Sequence, residues 1–222
     1  MKYKYDVLNK NQFESHQIAL SLIKNNSKIL DIGCATGYFA KELLKKGCIT
    51  YGLDCDINAV KKAEKYCKDT AVVDVDKKDI IPFKKHFFDY VVLMDVLEHL
   101  KNPEDVLSTI KPYLKKDGKI IVSVPNVAHA SIRWMLFKGE FRYTNTGIMD
   151  KTHLHFFTQK SLASLIRKTG YRILEFLPTN GMCKVPLLYK ITDRLPVVWQ
   201  YKIACSNPKL FAYQFVVLAE AH

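Results

Sequence analysis

Ile29-Leu30-Asp31-Ile32-Gly33-Cys34-Ala35-Thr36-Gly37-Tyr38-Phe39-Ala40 reads as an apolar strand, a tight glycine turn and the first turn of a helix. The two glycines let the backbone enter positive φ and let a ligand come close where a Cβ would collide. The helix that follows, from about Tyr38 to Lys46, offers unpaired N–H groups at its start. In a doubly wound α/β sheet this corner, at the carboxyl end of the first strand, is where nucleotides bind. The spacing here is Asp-x-Gly-x-x-x-Gly, not the Gly-x-Gly-x-x-Gly of dinucleotide binders. Asp31 places a carboxylate beside the ligand, which suits a cation better than a pyrophosphate.

Further pieces follow in order. Ile49-Thr50-Tyr51-Gly52-Leu53-Asp54 is a second strand ending in an acid, 17 residues past Gly37. An acid at about 20 residues commonly takes ribose hydroxyls in such folds. Val72-Val73-Asp74-Val75 and Phe88-Asp89-Tyr90-Val91-Val92-Leu93-Met94-Asp95-Val96-Leu97-Glu98-His99-Leu100 complete the set. Taken together, these segments resemble the class I S-adenosylmethionine-dependent methyltransferases of small-molecule type. The resemblance implies a Rossmann-like α/β fold with a seven-stranded, mostly parallel sheet, an antiparallel final strand and helices on both faces. It implies S-adenosylmethionine as cofactor: a sulfonium and an ammonium with no phosphate. It implies a donor site drawn from Asp31, Gly33, Cys34, Ala35, Gly37, Asp54, Cys55, Asp74, Val75 and Asp95. Asp54 is expected at the ribose, with Asp56 its rival, and Asp74 near the adenine amino group, with Asp76 its rival. Asp95 to Leu100 would close the pocket near the methionine end, where His99 reads as a cap as readily as a catalytic group.

The 222 residues fit one α/β domain, with 48% hydrophobic and 25% charged residues. No apolar run nears the ~18 residues of a membrane span, and the first residues lack a signal peptide's apolar region. A cytoplasmic protein is expected. Six cysteines form no C-x-x-C pair and no Cys/His ligand spacing, so they read as reduced thiols with no metal site. The net charge of +12 comes largely from scattered lysine pairs such as Lys45-Lys46 and Lys115-Lys116. No basic block is interleaved with aromatics, so nucleic acid is disfavoured as a partner.

Helical spacing marks a leading helix near residues 11–24, then helices near 38–46, 57–68, 104–114 and 158–170. Strands are expected at 28–33, 49–54, 71–75, 88–95, 119–125, 171–177 and 211–220. Pro103 opens a helix and Gly118 falls beyond its end. The alternation means parallel strands joined by right-handed crossovers, so residues 1–222 form one domain. Two parts depart from it: an acceptor-side segment, 127–157, and an insertion, 178–209, inside the final hairpin.

The acceptor-side segment is rich in histidine and aromatics. Its Asp150-Lys151-Thr152-His153-Leu154-His155-Phe156-Phe157-Thr158 resembles Asp-x-Thr-His-Leu-Arg-Phe-Phe-Thr, found in a methyltransferase branch associated with sugar and polysaccharide biosynthesis. Here His155 stands where that branch carries arginine. Tyr5-Asp6, Glu14-Ser15-His16 and Leu210 to Phe215 resemble the same branch. The resemblance implies O-methylation of a sugar or glycan intermediate in surface polysaccharide assembly. Quinone or other small-molecule methylation is the alternative, with RNA methylation or a non-catalytic donor-binding partner protein further behind. Methylating a hydroxyl requires alignment and a base, and histidine suits neutral pH. His153 is the first candidate base, with His129 and His155 behind it; each also reads as an imidazole bonded to a carbonyl. No metal is expected to take part. The insertion reads as a lid or a homodimer surface, and secondarily as an element touching an acidic membrane surface on its inner face.

Overall fold

The computed structural model describes residues 8–77, 79–180 and 194–222. Seven strands form one sheet: β1 (Lys28–Ile32), β2 (Ile49–Asp54), β3 (Asp69–Val72), β4 (Phe88–Met94), β5 (Leu114–Pro125), β6 (Tyr171–Pro178) and β7 (Gln214–Ala221), in spatial order β3-β2-β1-β4-β5-β7-β6. All neighbours are parallel except β7, which runs antiparallel to both β5 and β6. This is the seven-stranded arrangement with an inserted antiparallel strand that the resemblance implies.

Successive strand residues serve opposite faces, as the pleat requires. Leu30, Val91, Ile120, Val122 and Val217 pack with Val106, Leu107 and Ile110 of α4 (Pro103–Ile110) and Leu162 and Ile166 of α6 (Gln159–Lys168). Ile29, Val92, Ile121 and Val216 pack on the other face with Ile18 and Ala19 of α1 (Ser15–Leu22) and Phe39 and Leu43 of α2 (Tyr38–Leu44). Strands buried on both faces read as unbroken apolar runs, which is why these were visible in the sequence. α6 starts at a reciprocal cap, Thr158 Oγ1 accepting from Ser161 N and Ser161 Oγ accepting from Thr158 N.

Several boundaries differ from the sequence expectations. α3 (Ile57–Ala63) and α4 are shorter than expected, and Gly118 lies within β5. β3 ends at Val72, so Asp74 and Val75 fall in the turn beyond it. β7 begins at Gln214, because Phe211 closes a short helix, Pro208–Phe211. Residues 130–137 form a helix, α5 (Ala130–Phe137), that the sequence did not announce. Its apolar residues Ile132, Trp134, Met135, Leu136 and Phe137 surround the axis instead of lining one face, so no period stands out. In the insertion, Pro196 caps a helix over Val197–Ser206, and Tyr201 stacks on Phe13 at 4.1 Å. Tyr5-Asp6, Cys183 and the Val185 to Ile191 part of the insertion lie outside the described residues.

Candidate functional site

The carboxyl ends of β1, β2 and β4 meet at the glycine turn. Gly33 and Gly37 both take positive φ, 74° and 76°, and Ala35 does so at 48°. A Cβ on Gly33 would lie 2.6 Å from Val96 Cγ2, and one on Gly37 would lie 2.9 Å from Ala63 Cα. The turn is tied to β2: Gly33 N and Cys34 N donate to Leu53 O, and Ala35 N donates to Asp54 Oδ2 at 2.9 Å. Asp54 Oδ1 accepts from Asp56 N, and Asp56 itself caps α3 by accepting from Asn58 N. The two rivals for the strand-end role are thereby separated: Asp54 belongs to the turn and Asp56 to a helix start.

Asp31 is buried, and its Oδ2 meets no hydrogen-bond donor. Burial, reinforced by Asp54, pushes its carboxyl up to about 8. A buried acid without a partner is costly unless something cationic arrives to meet it. The Cys34 thiol packs over β2 and feels the Asp31 carboxylate. Its Sγ lies 2.8 Å from where a Gly52 Cβ would stand, alongside Cys67. Cys55 sits under the influence of both Asp54 and Asp74, which places the ends of β2 and β3 together. Asp74 Oδ1 accepts from Asp76 N, and its Oδ2 pairs with Lys77. Asp76 accepts from Lys101 N and Asn102 N and so anchors the start of α4. Val75 is partly buried and packs against the core.

Asp95 holds an uncommon conformation for a residue with a side chain, φ 55°. Ser123 Oγ donates to Asp95 Oδ1 at 2.6 Å, Gln214 Nε2 donates to the same oxygen at 2.9 Å, and Asp95 N donates back to Ser123. Bonds from β5 and β7 thus hold the turn after β4 in place. The field of Asp95 reaches Glu14, His16 and Tyr38. His16 Nε2 bonds Tyr38 OH at 2.9 Å. His16 and Tyr38 were not predicted as site residues, since nothing in their spacing ties α1 to the start of α2.

The acceptor-side segment folds back onto this edge. Val127 N donates to Phe157 O at one end, and Leu154 N and His155 N donate to Glu98 O at the other. The three candidate histidines separate. His129 is fully buried; its Nδ1 accepts from Ser131 N as the cap of α5, and burial lowers its pKa to about 4. His155 Nε2 donates to Lys101 O, beside α4. His153 alone turns toward Asp95, Glu98 and His99, with its Nδ1 spent on Ile148 O and its ring 4.9 Å from that of His99. Burial, then His99, holds its pKa down, so the imidazole is neutral at physiological pH.

Glu98 is the unexpected member. It is 1% exposed, and apart from its own nearby N–H neither carboxylate oxygen meets a hydrogen-bond donor. Burial and Asp95 raise its pKa well above the usual carboxylate range. Among the described residues no helix is long and apolar enough to cross a membrane.

A family model described as a methyltransferase domain matches residues 9–175. The chain is 29% identical over 197 residues to an uncharacterized protein of Methanocaldococcus jannaschii, covering 79% of this chain and 75% of that one. It is 25% identical over 204 residues to the ubiquinone biosynthesis O-methyltransferase of Idiomarina loihiensis, covering 86% and 82%. A SAM-dependent methyltransferase from Archaeoglobus fulgidus has the same fold, with a TM-score of 0.66, 19% identity and coverage of 92% and 90%.

Proposed function

Since the chain belongs to the methyltransferase-domain family, we propose that it transfers a methyl group from S-adenosylmethionine to a phenolic hydroxyl of a small, quinone-type aromatic molecule. The donor supplies an electrophilic methyl on a sulfonium, which an aligned acceptor oxygen takes in one displacement. The residues present suit that donor. The unpartnered Asp31 carboxylate offers its ammonium an anionic partner, and the glycine turn leaves room that side chains would fill. Asp54 stands at the ribose position and Asp74 at the adenine position, with Asp95 toward the methionine end.

The acceptor class rests on one observation. Aromatic rings lead outward from His153 through Phe156 (6.1 Å between centroids) and Tyr143 (6.5 Å) to Phe141 (5.4 Å), and Phe141 and Tyr143 are exposed. Such a row favours a flat apolar acceptor over a sugar. The relatives named ubiquinone biosynthesis O-methyltransferases support the same class. His153 is the candidate histidine at the inner end of this row, beside the place proposed for the acceptor hydroxyl. The test is a methyl-transfer assay offering catechols and quinols against free sugars and sugar nucleotides. Methylation of the phenols alone is expected; methylation of the sugars alone would restore the polysaccharide reading.

Asp31 provides a pH test. With its folded pKa near 8 and an ordinary unfolded value, the folded state holds the extra proton between about pH 4 and 8. Stability attached to this group is therefore full at the acid end of that window and declines as pH rises through it. Donor binding places a cation beside the carboxyl and draws its pKa down, so binding at pH 6.5 releases protons. Calorimetry in buffers of different ionisation enthalpy is expected to show up to one proton leaving per donor bound. Asp31→Asn should abolish that release; release unchanged in the variant would remove Asp31 from the donor site.

A further inference from the structure

Glu98, His99 and His153 each place one potential ligand atom within 4.8 Å of the other two. Glu98 and His99 leave the end of β4, whereas His153 arrives with the acceptor-side segment, so the set exists only in the folded chain. Spacing along the sequence could not show it, and the sequence expectation of no metal site considered only such spacing. Two features make this more than a crowd of titratable groups. First, Glu98 is 1% exposed and its oxygens lack donors from any other residue, a state that burial penalises and a cation would resolve. Second, each imidazole has its Nδ1 held by a backbone carbonyl. His99 Nδ1 donates to Thr152 O at 3.2 Å and His153 Nδ1 donates to Ile148 O at 3.1 Å. A ring nitrogen bonded to a carbonyl carries the proton, so in the neutral, metal-binding form of each ring the lone pair lies on Nε2. A backbone carbonyl on the far nitrogen is the usual outer support of a metal-bound histidine.

We propose that Glu98, His99 and His153 bind one divalent transition-metal ion that receives the acceptor oxygen. Two imidazoles and a carboxylate favour Zn²⁺, Co²⁺, Mn²⁺ or Fe²⁺ over Mg²⁺ or Ca²⁺, and three protein ligands leave an open position for substrate. Around an ion held at about 2.1 Å, donor atoms sit roughly 3.4 Å apart, so small side-chain rotations close the set. Asp95, whose charge reaches both Glu98 and His153, adds to the attraction for a cation. The ion's role at the acceptor rests on the methyltransferase reading above; the site itself does not. An acceptor hydroxyl bound to the ion would give its proton to solvent water more readily, with no change in the metal's oxidation state. His153 then acts on the acceptor through the ion and not as the base itself.

The test is a titration of the EDTA-treated full chain with Co²⁺, with neither donor nor acceptor present. One equivalent is expected to bind with visible d–d absorption of an imidazole–carboxylate site and to be displaced by Zn²⁺. Glu98→Gln should weaken binding at least 100-fold, and His99→Ala, at a partly exposed position that tolerates truncation, should do the same. Absence of stoichiometric binding, thiolate charge-transfer bands marking the cysteines, or unchanged affinity in His99→Ala would each overturn the site. Because no methyl transfer is measured, failure here leaves the proposed reaction standing, and a failed acceptor screen leaves the site standing. In the active enzyme, turnover should fall on EDTA treatment and return with the divalent ion. Turnover that survives exhaustive chelation would overturn the ion's role at the acceptor.

Discussion

Gly33→Leu is expected to abolish binding of both S-adenosylmethionine and S-adenosylhomocysteine, at least a 100-fold loss by calorimetry. Two effects combine. At φ 74° a residue with a Cβ costs roughly 1–2 kcal/mol more than glycine. The new Cβ would also stand 2.6 Å from Val96 Cγ2. Val96 follows Asp95, so relieving the clash pushes the turn after β4, which Ser123 and Gln214 hold in its strained conformation. The added side chain then occupies the space where the donor approaches the turn. Gly33→Ala, with the same Cβ but no further bulk, should lose less. Circular dichroism checks that the sheet survives. Donor affinity within tenfold of wild type in Gly33→Leu would move the donor away from this turn.

The second large effect is expected at His153. His153→Ala should lower turnover by about 10²–10⁴-fold, the range general acid–base groups typically supply and one that loss of a Lewis-acid ligand also reaches. The donor dissociation constant should barely move, because the residues assigned to the donor lie on the ends of β1 to β4, whereas His153 belongs to the segment that follows β5. His129→Ala makes the contrast. It removes the cap of a helix and leaves Ser131 N unsatisfied, so its cost should appear in melting temperature, about 1 kcal/mol of stability. Measuring donor affinity, turnover and melting on both variants separates these roles. Equal loss of turnover and donor binding in His153→Ala would assign that residue to the fold.

These contrasts trace what the residues disclosed on their own. The β1–turn–α2 unit was legible because a buried parallel strand, two glycines at positive φ and a helix start are all local. The strand ending at Asp54 was legible from its apolar run, whereas the strand before Asp74 stops at Val72, two residues earlier than Asp74. Other features depend on contacts between distant segments. Cys34 sits in the glycine turn but points toward Gly52 and Cys67, and no local pattern reports which way a small side chain faces. Of three histidines in one segment the sequence put His153 first without showing how they differ; the fold buries His129 as a cap, ties His155 to Lys101 O and leaves His153 beside Glu98. Glu98 itself falls in the segment after the strand expected at 88–95, and nothing there signals a carboxylate without a partner.

The antiparallel placement of β7 carries a consequence for how the protein comes into being. Between β5 and β6 the sheet has a slot that only β7, the last strand in the sequence, can fill. Until it enters, β5 presents an open row of backbone donors and acceptors along an apolar strand, the kind of edge that recruits other chains. β7 also brings Gln214 to Asp95, and the preceding residue's carbonyl, Tyr213 O, accepts from Asn126 N. The turn after β4 and the root of the acceptor segment therefore take their final shape only at that step. Ribosome-bound chains that have not released β7 should hold a nearly complete glycine turn while remaining unable to position an acceptor, so maturation of the site is set by the slowest, most non-local pairing in the sheet.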